Sequence, residues 1–297
     1  MRVESYTISL TPSLVATAKR YRSSTRRIHA GTPGWVLIFA HGAGLYKEYF
    51  EPLLKRLFEL DDAKDCAGQI VEAWAIDAAS HGAAAELNDG DISKDTFKHT
   101  PVDYAGAISA LRTSIFFGDP ELQRVVLIGD REGAAAALFT PDYFSPDEPL
   151  PIEHIVLLDP FLSSPVNTSE EWPNRDAARK HFARVFSPDH LENFLKNALV
   201  RTETGSIKSH ASLRSQEQLR DRKYRDWSSM VIPLNVGSHL LVHSKPLDEE
   251  IAQFRQPLTS VTVNPNTADA IYNILTDASH DIAERVFTAK NRFENKL

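Results

Sequence analysis

The segment Val125-Val126-Leu127-Ile128-Gly129-Asp130-Arg131-Glu132-Gly133-Ala134-Ala135-Ala136-Ala137 runs from an apolar strand through a Gly-x-x-x-Gly turn into an alanine-rich helix. Arg131 stands at the middle of that turn. A guanidinium is protonated at every pH at which a protein folds and cannot attack a carbonyl. It can hold a carboxylate, enolate or phenolate through two parallel hydrogen bonds. Alternatively it pairs with Asp130, Glu132 or Asp159 and simply fills the turn. Acidic residues on both sides, Asp130 and Glu132, indicate a turn rebuilt around a charge. His239 and His243 are four residues apart, but they follow an expected strand at 231–236 and have no third ligand, so no metal site is expected. Gly129 to Gly133 lacks the dinucleotide pattern and the phosphate-loop lysine, so no cofactor is expected either.

The surrounding elements alternate in type. Ser5 to Arg20 alternates loosely and reads as one or two edge strands or a hairpin, followed by a solvated basic run from Arg20 to Arg27. Trp35 to Ala40 is an unbroken apolar run, as a strand covered on both faces must be. Lys47 to Leu60 places Phe50, Leu53, Leu54 and Leu57 at helical spacing, Ile70 to Ile76 is a second buried strand, and Val102 to Leu111 fits a helix. Ile155 to Leu158 is a further strand ending at Asp159-Pro160. Val231 to Val236 resumes the strand pattern, Leu247 to Phe254 reads as a helix and Leu258 to Val263 as extended. Ala270 to Leu275 is either a last short strand or part of a helix, and Ile282 to Phe293 a terminal helix. Strands alternating with helices give an α/β class, a doubly wound and mostly parallel sheet, whose strand ends gather on one edge where ligands bind. From Phe161 to Trp227 charge and helical pattern dominate. The expected organisation is therefore a core of residues 1–160 and 228–297 with a helical cap of residues 161–227 inserted.

The chain has 297 residues, 42% hydrophobic and 25% charged, enough for one large core. Its formal charge of -7 gives no field favouring nucleic acid or anionic membrane. A single cysteine, Cys66, excludes an internal disulfide framework and a cysteine-rich zinc site, and suits a reducing compartment. The first residues lack the apolar core of a signal peptide, and no segment approaches the roughly 18 apolar residues of a membrane span. The expected partner is a small-molecule substrate, with a homodimer left open.

Taken together, these motifs resemble the α/β-hydrolase superfamily over nearly the whole chain. Gly129 to Gly133 resembles its nucleophile elbow, with Arg131 in place of the serine. His41-Gly42-Ala43-Gly44 resembles its oxyanion loop, although a tight strand-to-helix turn alone also calls for those glycines. Asp77 with His81-Gly82 resembles its Asp-x-x-x-His-Gly turn. Within the superfamily the chain looks like the fungal hydrolase-like proteins of toxin and secondary-metabolite pathways, an impression carried by Trp172-Pro173-Asn174-Arg175 and Thr202 to Lys208. Some of those end in peroxisomal signals. Asn295-Lys296-Leu297 is one substitution from Ser-Lys-Leu, so a cytoplasmic or peroxisomal location is expected, the plain alternative being a frayed helix end.

The resemblance implies a catalytic histidine in a late loop before the last helix, the place of His280, with His239 and His243 as rivals. It implies Asp159 as the acid that orients that histidine, the alternative being an Asp-Pro turn. It also points Arg131 into the pocket mouth. His41, Gly42, Ala43, Asp130 and Glu132 are placed at the substrate, with the Ala43 and Glu132 amides as an oxyanion hole. The expected activity is non-hydrolytic acid/base chemistry (lyase, isomerase, dehydratase or cyclase) on a carbonyl-rich, largely apolar molecule. Two other readings stay open. One is an ester, lactone or C–C bond hydrolase activating water without a covalent intermediate. The other is a non-catalytic binding or scaffolding protein.

Overall fold

The computed structural model describes residues 1–25, 34–63, 70–94, 96–117, 123–145, 147, 150–162, 171–225, 230, 232–233, 235–243, 254, 258–263 and 266–278. A hairpin opens the chain, β1 (Arg2–Ser9) antiparallel to β2 (Val15–Arg22). Next come β3 (Gly34–Ala40), a 3-10 turn at Lys47–Phe50, α1 (Glu51–Ala63) and β4 (Ile70–Ile76). α2 (Gly82–Leu87), α3 (Asp89–Ile92) and α4 (Pro101–Arg112) follow, then β5 (Gln123–Asp130), α5 (Glu132–Phe139) and β6 (His154–Leu158). α4 starts cleanly because Thr100 and Asp103 cap it reciprocally and Pro101 takes the first turn, where no N–H is needed.

Between β6 and the next sheet strand lie α6 (Arg175–Phe182), α7 (Pro188–Asn197), a small antiparallel pair of β7 (Leu199–Arg201) and β8 (Ile207–Ser209), and α8 (Leu213–Leu219). β9 (Gly237–Val242), β10 (Ser260–Val263) and α9 (267–278) complete the described chain.

The sheet has eight strands in the order β1-β2-β4-β3-β5-β6-β9-β10, parallel from β4 onward. Its two faces divide the apolar strand residues by parity. Val36, Ile38, Val125, Leu127, Ile155 and Leu157 pack on α4 and α5, while Leu37, Phe39, Val126, Ile128, Val156 and Leu158 pack on α1 and α9. Both faces are covered, which is why these strands read as unbroken apolar runs. A third cluster joins Leu45 and Tyr46, beside the β3 turn, to Trp172, Phe182, Phe194 and Ile207 of the segment between β6 and β9. That segment is therefore seated above the strand ends, and Asn193 ties it there by donating to the Glu48 carbonyl at 2.8 Å.

Two elements differ from their sequence pattern. The strand expected at 231–236 forms instead at Gly237–Val242. Pro233 has no N–H for a central ladder, whereas Leu240, Leu241 and Val242 supply the buried run. Ala270 to Leu275 belongs to α9, whose Ile271, Tyr272 and Leu275 give the helical spacing. Leu247 to Phe254, expected as a helix, and Ile282 to Phe293 fall in whole or nearly so outside the described residues.

Candidate active site

Five residues each follow directly on the C-terminal end of a parallel strand: His41 after β3, Asp77 after β4, Arg131 after β5, Asp159 after β6 and His243 after β9. A parallel sheet thus gathers them on one edge, where α/β folds bind ligands.

Arg131 has φ 51° and ψ -110°, a left-handed backbone that arginine rarely adopts. Neighbouring atoms hold it there. Its N–H donates to the Leu158 carbonyl at 2.9 Å, and its own carbonyl accepts from Ala134 at 3.1 Å. The two glycines are sterically required. A Cβ on Gly129 would lie 2.4 Å from the Gly133 oxygen, and one on Gly133 would lie 2.2 Å from the Ala40 oxygen. The sharp turn between strand and helix is therefore intact and points an arginine outward. Its Nη1 lies 3.0 Å from Asp130 Oδ2, and Nε finds no hydrogen-bond partner among the described residues. Burial opposes the guanidinium charge, but Asp130, Tyr49 and Asp159 outweigh it and raise the pKa. For Asp130 burial wins. Its carboxyl is pushed up to about 6 even though Arg131 pulls it down.

His243 and Asp159 form a close pair. The ring Nδ1 lies 2.6 Å from Asp159 Oδ2, and the His243 amide donates to Oδ1 at 2.8 Å. With both oxygens engaged, Asp159 cannot rotate away, and its backbone φ of 43° is a second non-glycine departure at this edge. Burial alone would raise the Asp159 pKa; the two bonds from His243 hold it below the usual value. The bond to Asp159 raises His243 above the ordinary histidine value, against its partial desolvation. The pairing assigns Nδ1–H to Asp159 and leaves Nε2, 3.0 Å from the Thr267 hydroxyl, as the free base.

A pocket of about 470 Å³ joins these groups. Arg131, Asp130, Asp159 and His243 line it together with Tyr49, Phe50, Leu53, Arg56, Leu158, Leu162, His190, Asn266, Thr267 and Ala268. Its size suits a small organic molecule. Tyr49, His190 and Thr267 carry no sequence signal on their own, because the 3-10 turn, α7 and α9 that bear them meet the strand ends only in the folded chain. His243 was visible as a rival histidine; the misplaced strand hid that it ends one.

The expected oxyanion hole differs. Glu132, wholly buried, turns its side chain back and accepts the Ala43 N–H on Oε2 at 2.9 Å. A carboxylate thus occupies the position where a developing oxyanion would be stabilised. His41 is also inaccessible, in contrast to its expected place at the substrate. Its Nδ1 donates to the Gly42 carbonyl at 2.8 Å, and Nε2 accepts from the Ala78 amide at 3.2 Å. Burial holds the ring neutral by lowering its pKa. His41, Gly42, Ala43 and Glu132 consequently lie outside the pocket lining, and Asp130 lies on it. Asp77 organises the loops by binding Lys47 Nζ at 2.6 Å, the Thr17 hydroxyl at 2.7 Å and the Ala83 amide at 3.1 Å. His239 sits within β9, bonded to His154 at 3.0 Å and Ser260 at 2.9 Å, away from the pocket. His280 lies outside the described residues. The last described residue before it, Ala278, is at the opposite edge of the sheet, where its carbonyl accepts from Arg124 near the start of β5. Among the described residues no cluster of three metal-ligating side chains occurs, and no helix is long and apolar enough to cross a membrane.

No protein-family model and no curated protein sequence matches the chain. Solved structures do. A peroxisomal alpha-beta-hydrolase of Saccharomyces cerevisiae superposes with a TM-score of 0.64 at 17% identity, covering 100% of this chain and 98% of the other. The thioesterase domain of a curacin biosynthetic pathway gives 0.59 at 13% identity, over 97% and 100%. An esterase of Mycobacterium tuberculosis gives 0.53 at 13% identity, over 96% and 92%. The chain has the α/β-hydrolase fold. At these identities the likeness fixes the fold and leaves the chemistry to the site.

Proposed function

We propose that this protein is an acid/base enzyme on a hydrolase fold, acting without a covalent nucleophile on an enolisable carbonyl compound. The observation that carries the reading is the His243–Asp159 pair, 2.6 Å apart, facing the same pocket as Arg131. In place of the expected His280, His243 is the proton-moving group. Its Nε2 takes a proton from the carbon next to a carbonyl; the C–H electron pair becomes a carbon–carbon double bond, the C=O π pair moves onto the oxygen, and Arg131 holds that oxygen as it becomes negative. The enolate then recovers the proton from His243 at the same or a conjugated carbon, which is isomerisation. Alternatively it expels a β-hydroxyl that leaves with the proton as water, which is dehydration. Neither route needs a further reactant. The blocked Ala43 amide argues against acyl transfer through the oxyanion loop, the route that a serine at this turn would use.

That same blockage, with Arg131 held by Asp130, favours one other reading, a binding protein that has kept the fold and lost the chemistry. The two separate in heavy water. Wild-type protein incubated with a panel of 2-oxo and 3-oxo carboxylates should exchange the protons next to the carbonyl for deuterium, read by NMR. A phosphonylating ester should leave no adduct by intact mass. Binding without exchange across the panel would favour the non-catalytic reading. An adduct that maps to a serine would refute the acid/base one.

A further inference from the structure

The Arg131–Asp130 contact is an ion pair formed inside a ligand pocket by two adjacent residues of one turn. Asp159, the other carboxylate on that wall, has both oxygens committed to His243. Asp130 is therefore the carboxylate left to occupy the guanidinium, and it does so through one oxygen and one nitrogen. A single contact of this kind is half of what the fork of an arginine offers a carboxylate. The Tyr49 side chain also hydrogen-bonds the guanidinium, and Nε, on the edge away from Nη1, is buried and lacks a partner among the described residues. Beyond the polar groups, Phe50, Leu53, Leu158, Leu162 and Ala268 form an apolar wall.

We propose that Asp130 stands in for the carboxylate of the ligand, and that the pocket takes a monocarboxylate with an apolar body, which displaces Asp130 from Arg131. This rests on the reading of the pocket as the substrate site and names the substrate class. The displaced Asp130 takes up a proton, because it is buried and its cation is now shared with another anion. Its starting point near 6 makes that uptake easy at neutral pH. The groups that bear on Asp130 are Arg131 and Glu132 on its own turn, Asp159 at the end of β6 and His243 at the end of β9. Tyr49, His190 and Arg56 share its pocket from the 3-10 turn, α7 and α1. Of these, His243 is the rival proton acceptor.

The test is calorimetric binding of 4-phenylbutyrate, with 4-phenylbutanamide as the neutral isostere. Each is titrated in Hepes and in Tris so that proton uptake shows as a buffer-dependent heat. The wild type should bind the acid and not the amide, take up close to one proton at pH 7.5, and lose about tenfold in affinity from pH 7 to pH 8. Asp130→Asn should bind about tenfold tighter at pH 7, since only about a tenth of Asp130 is protonated there when its pKa is about 6. Its affinity should be flat with pH. Arg131→Met should lose binding; should that variant not fold, the amide control and Asp130→Asn still decide. Equal binding of acid and amide, or no binding of the acid, overturns the proposal. A pH slope that survives in Asp130→Asn assigns the proton to His243 and also overturns it. Because binding alone is read, a failure here leaves the proton-exchange result standing, and the reverse holds.

Discussion

Replacing Asp130 by Asn should change how stability depends on pH, with a sign opposite to that of an ordinary salt-bridged aspartate. In the folded chain Asp130 is raised from 3.8 to about 6, because burial of the carboxyl outweighs the pull of Arg131. A group raised on folding holds its proton more tightly in the native state. Its stabilising contribution is complete below pH 4 and is lost as pH rises through 6. A shift of about two units corresponds to roughly 3 kcal/mol, taken as a ceiling for a side chain this buried. Urea unfolding of wild type and Asp130→Asn at pH 4, 5, 6 and 7 reads the effect as a difference between the two chains, which differ in this one titrating side chain. The wild type should lose ground to the variant by about 1 to 3 kcal/mol over that interval, most steeply around pH 5. A gap that stays constant, or that widens in favour of the wild type as pH rises, would refute the reasoning. It would mean that Arg131 overcomes the burial and that Asp130 is a plain ion-pair partner.

Gly133→Ala should destabilise the fold by about 3 kcal/mol or more by denaturant melts, since its Cβ would meet the Ala40 oxygen at 2.2 Å with only backbone to give way. Gly90→Ala, with nothing within 4 Å, should be neutral or stabilising by up to about 1 kcal/mol in the same assay. Arg131→Ser alone should leave an activated ester essentially untouched because Glu132 still occupies the Ala43 amide. Adding Glu132→Ala should raise ester turnover by about 10²–10³, the usual worth of one oxyanion donor, and equal rates in the two variants would contradict the blocked-hole geometry. Asp159→Asn should lower the His243 pKa, seen by NMR titration of the ring protons, since the bond to Asp159 is what raises it.

The parallel sheet was legible because both faces of each central strand are buried, which produces runs such as Trp35 to Ala40 that no amphipathic helix imitates. The turn at Gly129 to Gly133 was equally legible, since two glycines four apart mark where the backbone of α5 crosses close to β3. The pocket was not. Asp159 could be placed after its strand, but its partner depended on where β9 begins. Pro233 lies in an apolar stretch that mimics a strand, and the ladder begins four residues after it, at Gly237. The sequence pattern points to the amides of Ala43 and Glu132, while the Glu132 side chain decides what the Ala43 amide does. Such a reversal depends on side-chain direction at a buried position, which no periodicity encodes.

In the proposed reaction His243, oriented by Asp159, moves a proton in a pocket where Arg131 holds negative charge. This step is tested most directly by the rate of solvent deuterium exchange into an oxo carboxylate by wild type and by His243→Gln. The variant should lose about 10²–10⁴ in exchange rate, the usual worth of a positioned general base, with carboxylate binding at Arg131 retained. Equal exchange rates in the two proteins would contradict it.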